Sequence, residues 1–199
     1  LFSLIAIFFA LGVLASNWIG IDANQPSEPK IELISSDISK STIRLSLSGF
    51  EQSMVQTPRG EAWFMSLENG GFMLDKGAPQ LPVTAASVII PDRAGTRIEI
   101  VSAEFVEYEG VLVAPSKGNL TRDIDPASRD YVFGEVYAKN EFFPGEIATL
   151  REPYIVRDYR GQAINFMPFQ YNPVAQVLRV YHSITVQVVE DGLSEVNVL

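Results

Sequence analysis

The segment that decides the fold is Leu178-Arg-Val-Tyr-His-Ser-Ile-Thr-Val-Gln-Val-Val189, near the end of the sequence. Apolar residues recur at every second position, on one face of an extended chain: Leu178, Val180, Ile184, Val186 and Val188. Polar residues take the opposite face: Arg179, Ser183, Thr185 and Gln187. A period of two is the repeat of a β-strand that buries one face and leaves the other in water. The segment therefore predicts a strand of an antiparallel sheet.

The same alternation recurs at residues 42–48 and 97–101. The apolar faces of these two segments consist of Ile43, Leu45, Leu47, Ile98 and Ile100. Shorter strand candidates, separated by turn residues, are 31–34, 62–67, 86–90, 105–108, 111–114, 131–137, 154–157 and 163–168. After the first residues of the chain, no segment keeps the apolar spacing of an amphipathic helix over three turns. Many short strands predict an all-β fold, an antiparallel β-sandwich of jelly-roll-like type.

The beginning of the sequence is strongly apolar. Residues 1–21 carry no charged side chain, and the dense apolar part has the length of a signal-peptide core rather than of a full membrane span. Small residues allow cleavage after Ala15 or after Ala23. The alternative is a retained membrane anchor with Trp18 at the interface. We predict a hydrophobic signal-peptide helix within residues 1–23, whose positively charged n-region is missing.

The rest of the sequence divides simply. We predict a flexible lead-in at residues 24–29, one β-sandwich domain over residues 30–189, and the start of a linker at residues 190–199. With 199 residues, the chain is long enough to bury a sizeable core.

Composition excludes several functions. The formal net charge is -9 and the pI is about 4.6, and the densest basic cluster, Arg157-Asp-Tyr-Arg160, is diluted by its own aspartate. We therefore predict no nucleic-acid partner. Cysteine is absent, so disulfides, thiolate metal sites and a cysteine nucleophile are excluded.

The residues that carry catalytic chemistry are sparse. His182 is the single histidine and is in phase with Val180 and Ile184, so an unbroken strand would turn it toward the apolar face in a structural role. Asp123 and Asp125 have the alternation of calcium ligands, but a proline follows where the ligand loop should continue. We predict no metal, no cofactor and no enzymatic activity in this chain.

Residues 115–130 form a long segment without strand patterning. Loops of this length inside a compact domain are uncommon and are often functional. The segment offers an arginine, Arg122, in a polar setting bounded by Pro115 and Pro126. The alternative interpretation is a disordered surface excursion.

Several blocks, in the same order along the chain, resemble the pro-segment of gingipain-type cysteine proteases, most closely the arginine-specific branch. They are Gly77-Ala-Pro-Gln-Leu-Pro-Val83, Val111-Leu-Val-Ala-Pro-Ser-Lys-Gly118, Glu141-Phe-Phe-Pro-Gly-Glu-Ile-Ala-Thr-Leu150, Arg157-Asp-Tyr-Arg-Gly161, Pro168-Phe-Gln-Tyr-Asn-Pro173 and Leu178-Arg-Val-Tyr181. The resemblance covers residues 31–189, and it is strongest after Val111.

The resemblance implies a β-sandwich domain that assists the folding of a caspase-like catalytic domain and keeps it latent. In the arginine-specific branch, a loop arginine enters the substrate pocket of the protease, and the matching position is Arg122. Thr121 and Asp123 would lie along the cleft beside it, with Leu120 completing the protease-binding segment. The implied partner is the catalytic domain of a cysteine protease, with no stable membrane partner after signal cleavage. The implied location is secreted, periplasmic or on the cell surface of a Gram-negative bacterium.

A different class of function stays open at this point. A secreted β-sandwich can also serve as an adhesion or carbohydrate-binding module, which needs a platform of exposed aromatic side chains. The candidates are Trp63, Tyr108, Tyr159 and Tyr181.

Overall fold

The computed structural model describes residues 16–198, and the regular secondary structure of this part is almost entirely β-strand. The strands are β1 (Asn17–Gly20), β2 (Lys30–Ser36), β3 (Lys40–Ser46), β4 (Gly49–Thr57), β5 (Gly60–Ser66), β6 (Gly71–Phe72), β7 (Pro82–Ile90), β8 (Ala94–Glu109), β9 (Ala148–Leu150), β10 (Tyr154–Val156), β11 (Tyr159–Phe166), β12 (Phe169–Asn172) and β13 (Val177–Leu193). Two short 3-10 turns occupy Pro126–Ser128 and Glu135–Ala138. No helix within residues 16–198 has the length and apolar character needed to cross a membrane.

The strands form three antiparallel sheets. The first has the order β1-β4-β5, and the second has the order β10-β11-β7-β6, with β9 also on β11. The third has the order β12-β13-β3-β2, with β8 along the other side of β13. Side chains from all three sheets share one hydrophobic core. The predicted all-β antiparallel class is confirmed. The leader helix was predicted within residues 1–23, of which residues 1–15 lie outside the described part. In the described part the prediction of a helix is wrong, because Asn17–Gly20 form strand β1 and pair with β4.

The segment that opened the sequence argument is the centre of the third sheet. β13 pairs with β12 and β3 along one side and with β8 along the other. The five apolar residues predicted to share a face are all buried: Leu178, Val180, Ile184, Val186 and Val188. Fully burying an aliphatic side chain of this size stabilises a fold by about 1.5–3 kcal/mol. One strand therefore contributes a large part of the core.

Most predicted strands are present, and two are not. Residues 111–114 are buried except for Leu112, which is half-buried, and they pair only through an isolated bridge between Trp63 and Val113. Residues 131–137 run without strand pairing into the 3-10 turn that contains Tyr137. Strand β4 was not predicted, because the polar residue Gln52 occupies a buried position there and interrupts the apolar alternation.

A β-bulge changes the expected setting of His182. Tyr181 faces Phe105 and Ser183 faces Glu104, so His182 is an extra residue in β13. It is half-buried, and its carbonyl accepts a hydrogen bond of 2.9 Å from the backbone N–H of Leu47. A second irregularity in β8 leaves Ile100 46% exposed rather than on the core face. Bulges of this kind shift the alternation that a regular strand predicts.

Both ends of the described chain pack against the sandwich. β1 pairs with β4, and the indole nitrogen of Trp18 donates a hydrogen bond of 2.8 Å to the carbonyl of Ala23. At the other end, the backbone N–H of Ser194 bonds the carbonyl of Arg93 at 2.9 Å. The predicted division of the chain at residues 23, 29 and 189 stays a prediction.

Arg160 holds the last described residues. It lies on β11 with only 1% of its surface exposed, and its guanidinium donates to four backbone carbonyls. The acceptors, with their distances, are Asn197 (3.0 Å), Val196 (2.9 Å), Ala94 (2.6 Å) and Pro91 (3.2 Å). A buried cation is tolerated when every donor finds a partner. Arg160 therefore fixes residues 194–198, the tail, to the rest of the domain.

Replacing Arg160 with methionine should release the tail. The carbonyls of Val196 and Asn197 then lose their donor, and we expect the free energy of unfolding to fall by about 2 kcal/mol. Hydrogen exchange should rise in residues 194–198 more than in β13. Arg97→Met is the control, because the exposed Arg97–Glu99 pair contributes about 0–1 kcal/mol. An unchanged exchange rate in the tail would contradict the role given to Arg160.

Candidate functional site

The long segment singled out in the sequence, extended to its anchored end, is called the arginine loop (residues 115–134). It follows a buried stretch in which Val113 and Ala114 are 0% exposed. Tyr137 holds this stretch from beneath, since its hydroxyl donates a hydrogen bond of 2.8 Å to the carbonyl of Val113. Burial raises the pKa of Tyr137, so the hydroxyl stays a neutral donor. The loop thus begins from a rigid part of the core.

Both ends of the arginine loop are fixed on one short turn, Gly77–Pro79. At the first end, the N–H of Ser116 donates to the carbonyl of Ala78 at 2.7 Å, and the N–H of Gly77 donates to the carbonyl of Ser116 at 2.9 Å. At the second end, the N–H of Gly134 donates to the carbonyl of Gly77 at 2.8 Å. The loop is therefore closed at its base and is not a loose excursion.

Gly77 has to be a glycine. Its φ of 83° is a conformation that other residues adopt only with strain. A Cβ at this position would also lie 3.2 Å from the backbone of Gly134. The two backbones can approach closely enough for their hydrogen bond only because neither carries a side chain.

Arg122 occupies the tip of the loop. The N–H of Ile124 donates to the carbonyl of Thr121 at 3.0 Å, which makes residues 121–124 a β-turn with Arg122 and Asp123 at its centre. Thr121, Arg122 and Asp123 are all exposed. The guanidinium is thus carried on the outside of the molecule, away from the core.

The carboxylate of Asp123 is tied to the same turn. A hydrogen bond from the Thr121 hydroxyl is the main cause that lowers the pKa of Asp123 below its ordinary value, and its own backbone N–H adds to the effect. Desolvation acts weakly in the opposite direction. The carboxylate is therefore charged at neutral pH, beside the arginine.

The returning limb of the loop is held by short-range contacts. The carboxylate of Asp125 accepts a hydrogen bond of 2.9 Å from the N–H of Ala127 and caps the 3-10 turn. Lys117, on the outgoing limb, reaches across the loop. Its Nζ donates to the carbonyl of Pro126 at 2.8 Å and lies 4.1 Å from the centre of the Tyr131 ring. The two limbs are thus joined above the base.

The four residues predicted to meet a partner do not have equal settings. Three of them form the exposed tip, whereas Leu120 is half-buried. It lines an open groove together with Leu74, Lys76, Ser128, Arg129 and Val132. This places Leu120 where it can support the tip rather than lead the contact. The roles of all four residues stay predictions.

The arrangement does not point to chemistry of its own. Asp125 caps a turn instead of facing a cation. Within residues 16–198, no three or more His, Asp or Glu side chains are grouped so that they could hold a metal ion. The site consists of an arginine, its acidic neighbour and the backbone that supports them.

Sequence reasoning missed the residues that hold the loop: Gly77, Lys117, Tyr131 and Gly134. The Gly77-Ala-Pro block was among the motifs that suggested the family, but its pairing with the loop joins residues more than 35 positions apart. Nothing in the sequence related Gly77 to Gly134 at the second end of the loop.

The aromatic platform required by the alternative function is absent among the four candidates. Tyr181 is 8% exposed, and its hydroxyl is bonded to Gln170 at 2.8 Å. Trp63 and Tyr108 pack together against the core, with ring centres 6.0 Å apart. Tyr159 is the one member of the four that is exposed, at 60%. The four side chains therefore do not form the platform that the alternative function requires.

An antiparallel β-sandwich that offers a base-anchored, arginine-tipped loop fits the class of protease propeptide domains. The chain belongs to that class: the Propeptide_C25 family model matches residues 22–197. The resemblance drawn from the sequence blocks is therefore confirmed.

Curated relatives from Porphyromonas gingivalis agree. The chain is 42% identical to Gingipain R1 over 172 residues and 40% identical to Gingipain R2 over 175 residues. The match covers 86% of this chain in both cases. It is 24% identical to Lys-gingipain over 157 residues. The chain spans 17% of the length of Gingipain R1 and 24% of that of Gingipain R2.

A solved structure shows the same fold. The chain matches a structure described as the complex of Porphyromonas gingivalis RgpB pro- and mature domains, with a TM-score of 0.83 and 38% identity. The match covers 87% of this chain and 91% of that one. A second structure, on the zymogenic latency of gingipain K, matches with a TM-score of 0.73 and 21% identity, which supports the fold alone.

Gly77→Ala should loosen the base of the loop. The positive φ makes an alanine strained, and the added methyl group crowds Gly134, so we expect a loss of about 1–2 kcal/mol in the free energy of unfolding. Urea denaturation measures this loss. Gly145→Ala is the matched control, because a Cβ there meets nothing within 4 Å. Equal stability of the two variants would show that the glycine contact does not matter.

Thr121→Val should raise the pKa of Asp123. The carboxylate then loses the hydrogen bond that favours its charged form, so its pKa returns toward the ordinary value of 3.8. In the unmodified chain, the hydrogen bond from Thr121 to the charged carboxylate is fully present above pH 3.8 and is lost as the pH falls through the lowered pKa of Asp123. An NMR titration of the side-chain carboxyl carbons measures the pKa of Asp123 in both proteins.

The pKa of Asp37 provides an internal reference in the same titration. It is lowered mainly by the hydroxyl of Ser39, outside the loop, and should not respond to Thr121→Val. If Asp123 titrates at the same pH in both proteins, the hydroxyl contact is not the cause of the shift.

Proposed function

We propose that this chain is the pro-segment that keeps a gingipain-like cysteine endopeptidase latent by inserting Arg122 into its substrate cleft. The observation that carries the proposal is the exposed turn with Arg122 at its tip, on a loop closed at its base by Gly77. Membership of the propeptide family and 42% identity to Gingipain R1 support it.

The chemistry of arginine suits this task. A guanidinium is planar and permanently charged, and it makes paired hydrogen bonds to a carboxylate. A protease that cleaves after arginine needs an acidic pocket for that side chain, and Arg122 would occupy it as a substrate residue does. Thr121 and Asp123 would lie against the walls of the cleft, and the half-buried side chain of Leu120 would support the turn from the groove beneath it.

The partner is then the catalytic domain of the cognate cysteine protease. The related RgpB structure is named as a complex of pro- and mature domains, which supports this partner for the present chain. The same domain would assist the folding of the protease, because a stable sandwich offers a preformed surface on which the catalytic domain can assemble. We propose a secreted, periplasmic or cell-surface location on a Gram-negative bacterium, which the similarity to the gingipains supports.

We propose that the partner protease cleaves after arginine rather than after lysine. The identity to Gingipain R1 and Gingipain R2 is 42% and 40%, against 24% for Lys-gingipain. The residue at the tip of the turn is also an arginine. Both observations support an arginine-specific protease.

Arg122→Ala should weaken inhibition of an arginine-specific gingipain. A buried arginine anchor contributes about 2 kcal/mol or more to binding, so the inhibition constant should rise roughly 30-fold or more. The measurement is the hydrolysis of a small arginine substrate by the mature protease with increasing amounts of the added chain.

Arg129→Ala serves as the matched control. It removes an exposed arginine of the same loop, and its side chain lies beside the groove rather than at the tip. We expect its inhibition constant to stay within about threefold of that of the unmodified chain, as for most residues outside the central anchor. Equal inhibition by the Arg122 variant and the unmodified chain would overturn the proposed mechanism, as would no inhibition by the unmodified chain.

A further inference from the structure

An arginine presented to an arginine-specific protease is a substrate as much as an inhibitor. Hydrolysis at this position adds water across the Arg122–Asp123 peptide bond, leaving a carboxylate on Arg122 and an amino group on Asp123. A pro-segment with the proposed function must resist this reaction.

The peptide bond at risk is the central bond of a β-turn. The hydrogen bond from Ile124 to Thr121 keeps the chain folded around it. Endopeptidases bind the residues on both sides of the cleaved bond in an extended conformation, because the carbonyl has to face the nucleophile in a defined geometry. Before cleavage, therefore, the turn has to open and straighten.

Straightening the turn separates the two limbs of the loop. Residues 117–126 would span about 30 Å if fully extended, at roughly 3.3–3.6 Å per residue. The contact between Lys117 and the carbonyl of Pro126, 2.8 Å long, joins the two ends of this segment by one side chain. The turn can therefore open fully only if this contact breaks.

Two further observations show that Lys117 is held in place. Its ammonium lies over the Tyr131 ring at 4.1 Å, a cation–π contact that joins it to the returning limb a second time. Its backbone follows Ser116, which is 2% exposed and bonded to the turn at Gly77–Pro79. The backbone of Lys117 is therefore fixed at the base of the loop, and its ammonium contacts two groups of the opposite limb. We call this arrangement a brace.

We propose that Lys117 is a positioning residue that slows hydrolysis of the Arg122–Asp123 bond by keeping the arginine loop closed. This inference rests on the proposed function and explains how a substrate-like loop persists in the cleft. Lys117 does not need to touch the protease. Its effect is on the lifetime of the intact loop and not on the affinity of the arginine for its pocket.

The experiment compares three forms of the chain: unmodified, Lys117→Met and Lys139→Met. Methionine keeps the length of the side chain but removes the charge and the donor, and it adds no new cleavage site for an arginine-specific protease. Lys139 is the control, because it is exposed and its pairing with Glu141, at 3.4 Å, lies outside the loop. Each form is incubated with a catalytic amount of an arginine-specific gingipain.

Two readings are taken from each incubation. Intact-mass measurement follows the fragment that ends at Arg122, and the initial inhibition constant is measured before cleavage proceeds. We expect Lys117→Met to be cleaved at Arg122–Asp123 about tenfold faster, with an inhibition constant within about twofold of the unmodified chain, since a charge-assisted hydrogen bond and a cation–π contact are lost. Lys139→Met should behave as the unmodified chain.

The outcomes separate this inference from the function on which it rests. If the unmodified chain inhibits but Lys117→Met is cleaved no faster, the brace is wrong and the function stands. If cleavage accelerates equally at arginines outside the loop, the variant has loosened the whole domain and the brace is again wrong. If the unmodified chain does not inhibit, the proposed function fails, and an endopeptidase unrelated to gingipains that cleaves after arginine but not after lysine then tests the brace by itself through the same fragment.

Discussion

The pairing of β13 with β3, β8 and β12 is the constraint on which the rest of the domain depends. This strand is 17 residues long and takes hydrogen bonds along both of its edges. Its buried face supplies side chains that contact the other sheets in one common core. Without that face, the second sheet and the β1-β4-β5 sheet would have no shared surface to cover. The hydrophobic effect on a single alternating strand therefore organises the sandwich.

The same core determines where the arginine loop starts. Two buried tyrosines, Tyr137 and Tyr171, donate their hydroxyl hydrogens to the carbonyls of Val113 and Val111, each at 2.8 Å. These bonds satisfy backbone groups of an extended segment that has few strand partners of its own. The segment is thereby held firmly without belonging to a sheet. The arginine loop therefore begins from a fixed point, which limits the positions that its exposed tip can take.

Stability and function are divided between two parts of the molecule. The sandwich is stabilised by apolar burial and by the satisfied donors of Arg160, whereas the loop is held by a few polar contacts near its base and across its limbs. The tip of the loop is exposed, so it cannot be stabilised by burial. Hydrogen bonds and turn geometry are the means that remain, and they preorganise the loop before it meets a partner.

The sequence by itself determined the all-β class, the central strand, the family and the location of Arg122 in a long loop. Each of these depends on a local pattern: a period of two, a block of matching residues or a gap between strands. Tertiary structure alone decided how the loop is closed, because Gly77 and Gly134, or Lys117 and Tyr131, meet through chain reversals that no local pattern records. It also decided the exposure of Gln52 and Ile100. Gln52 is buried because neighbouring strands cover it, and Ile100 is exposed because a bulge shifts the register of β8.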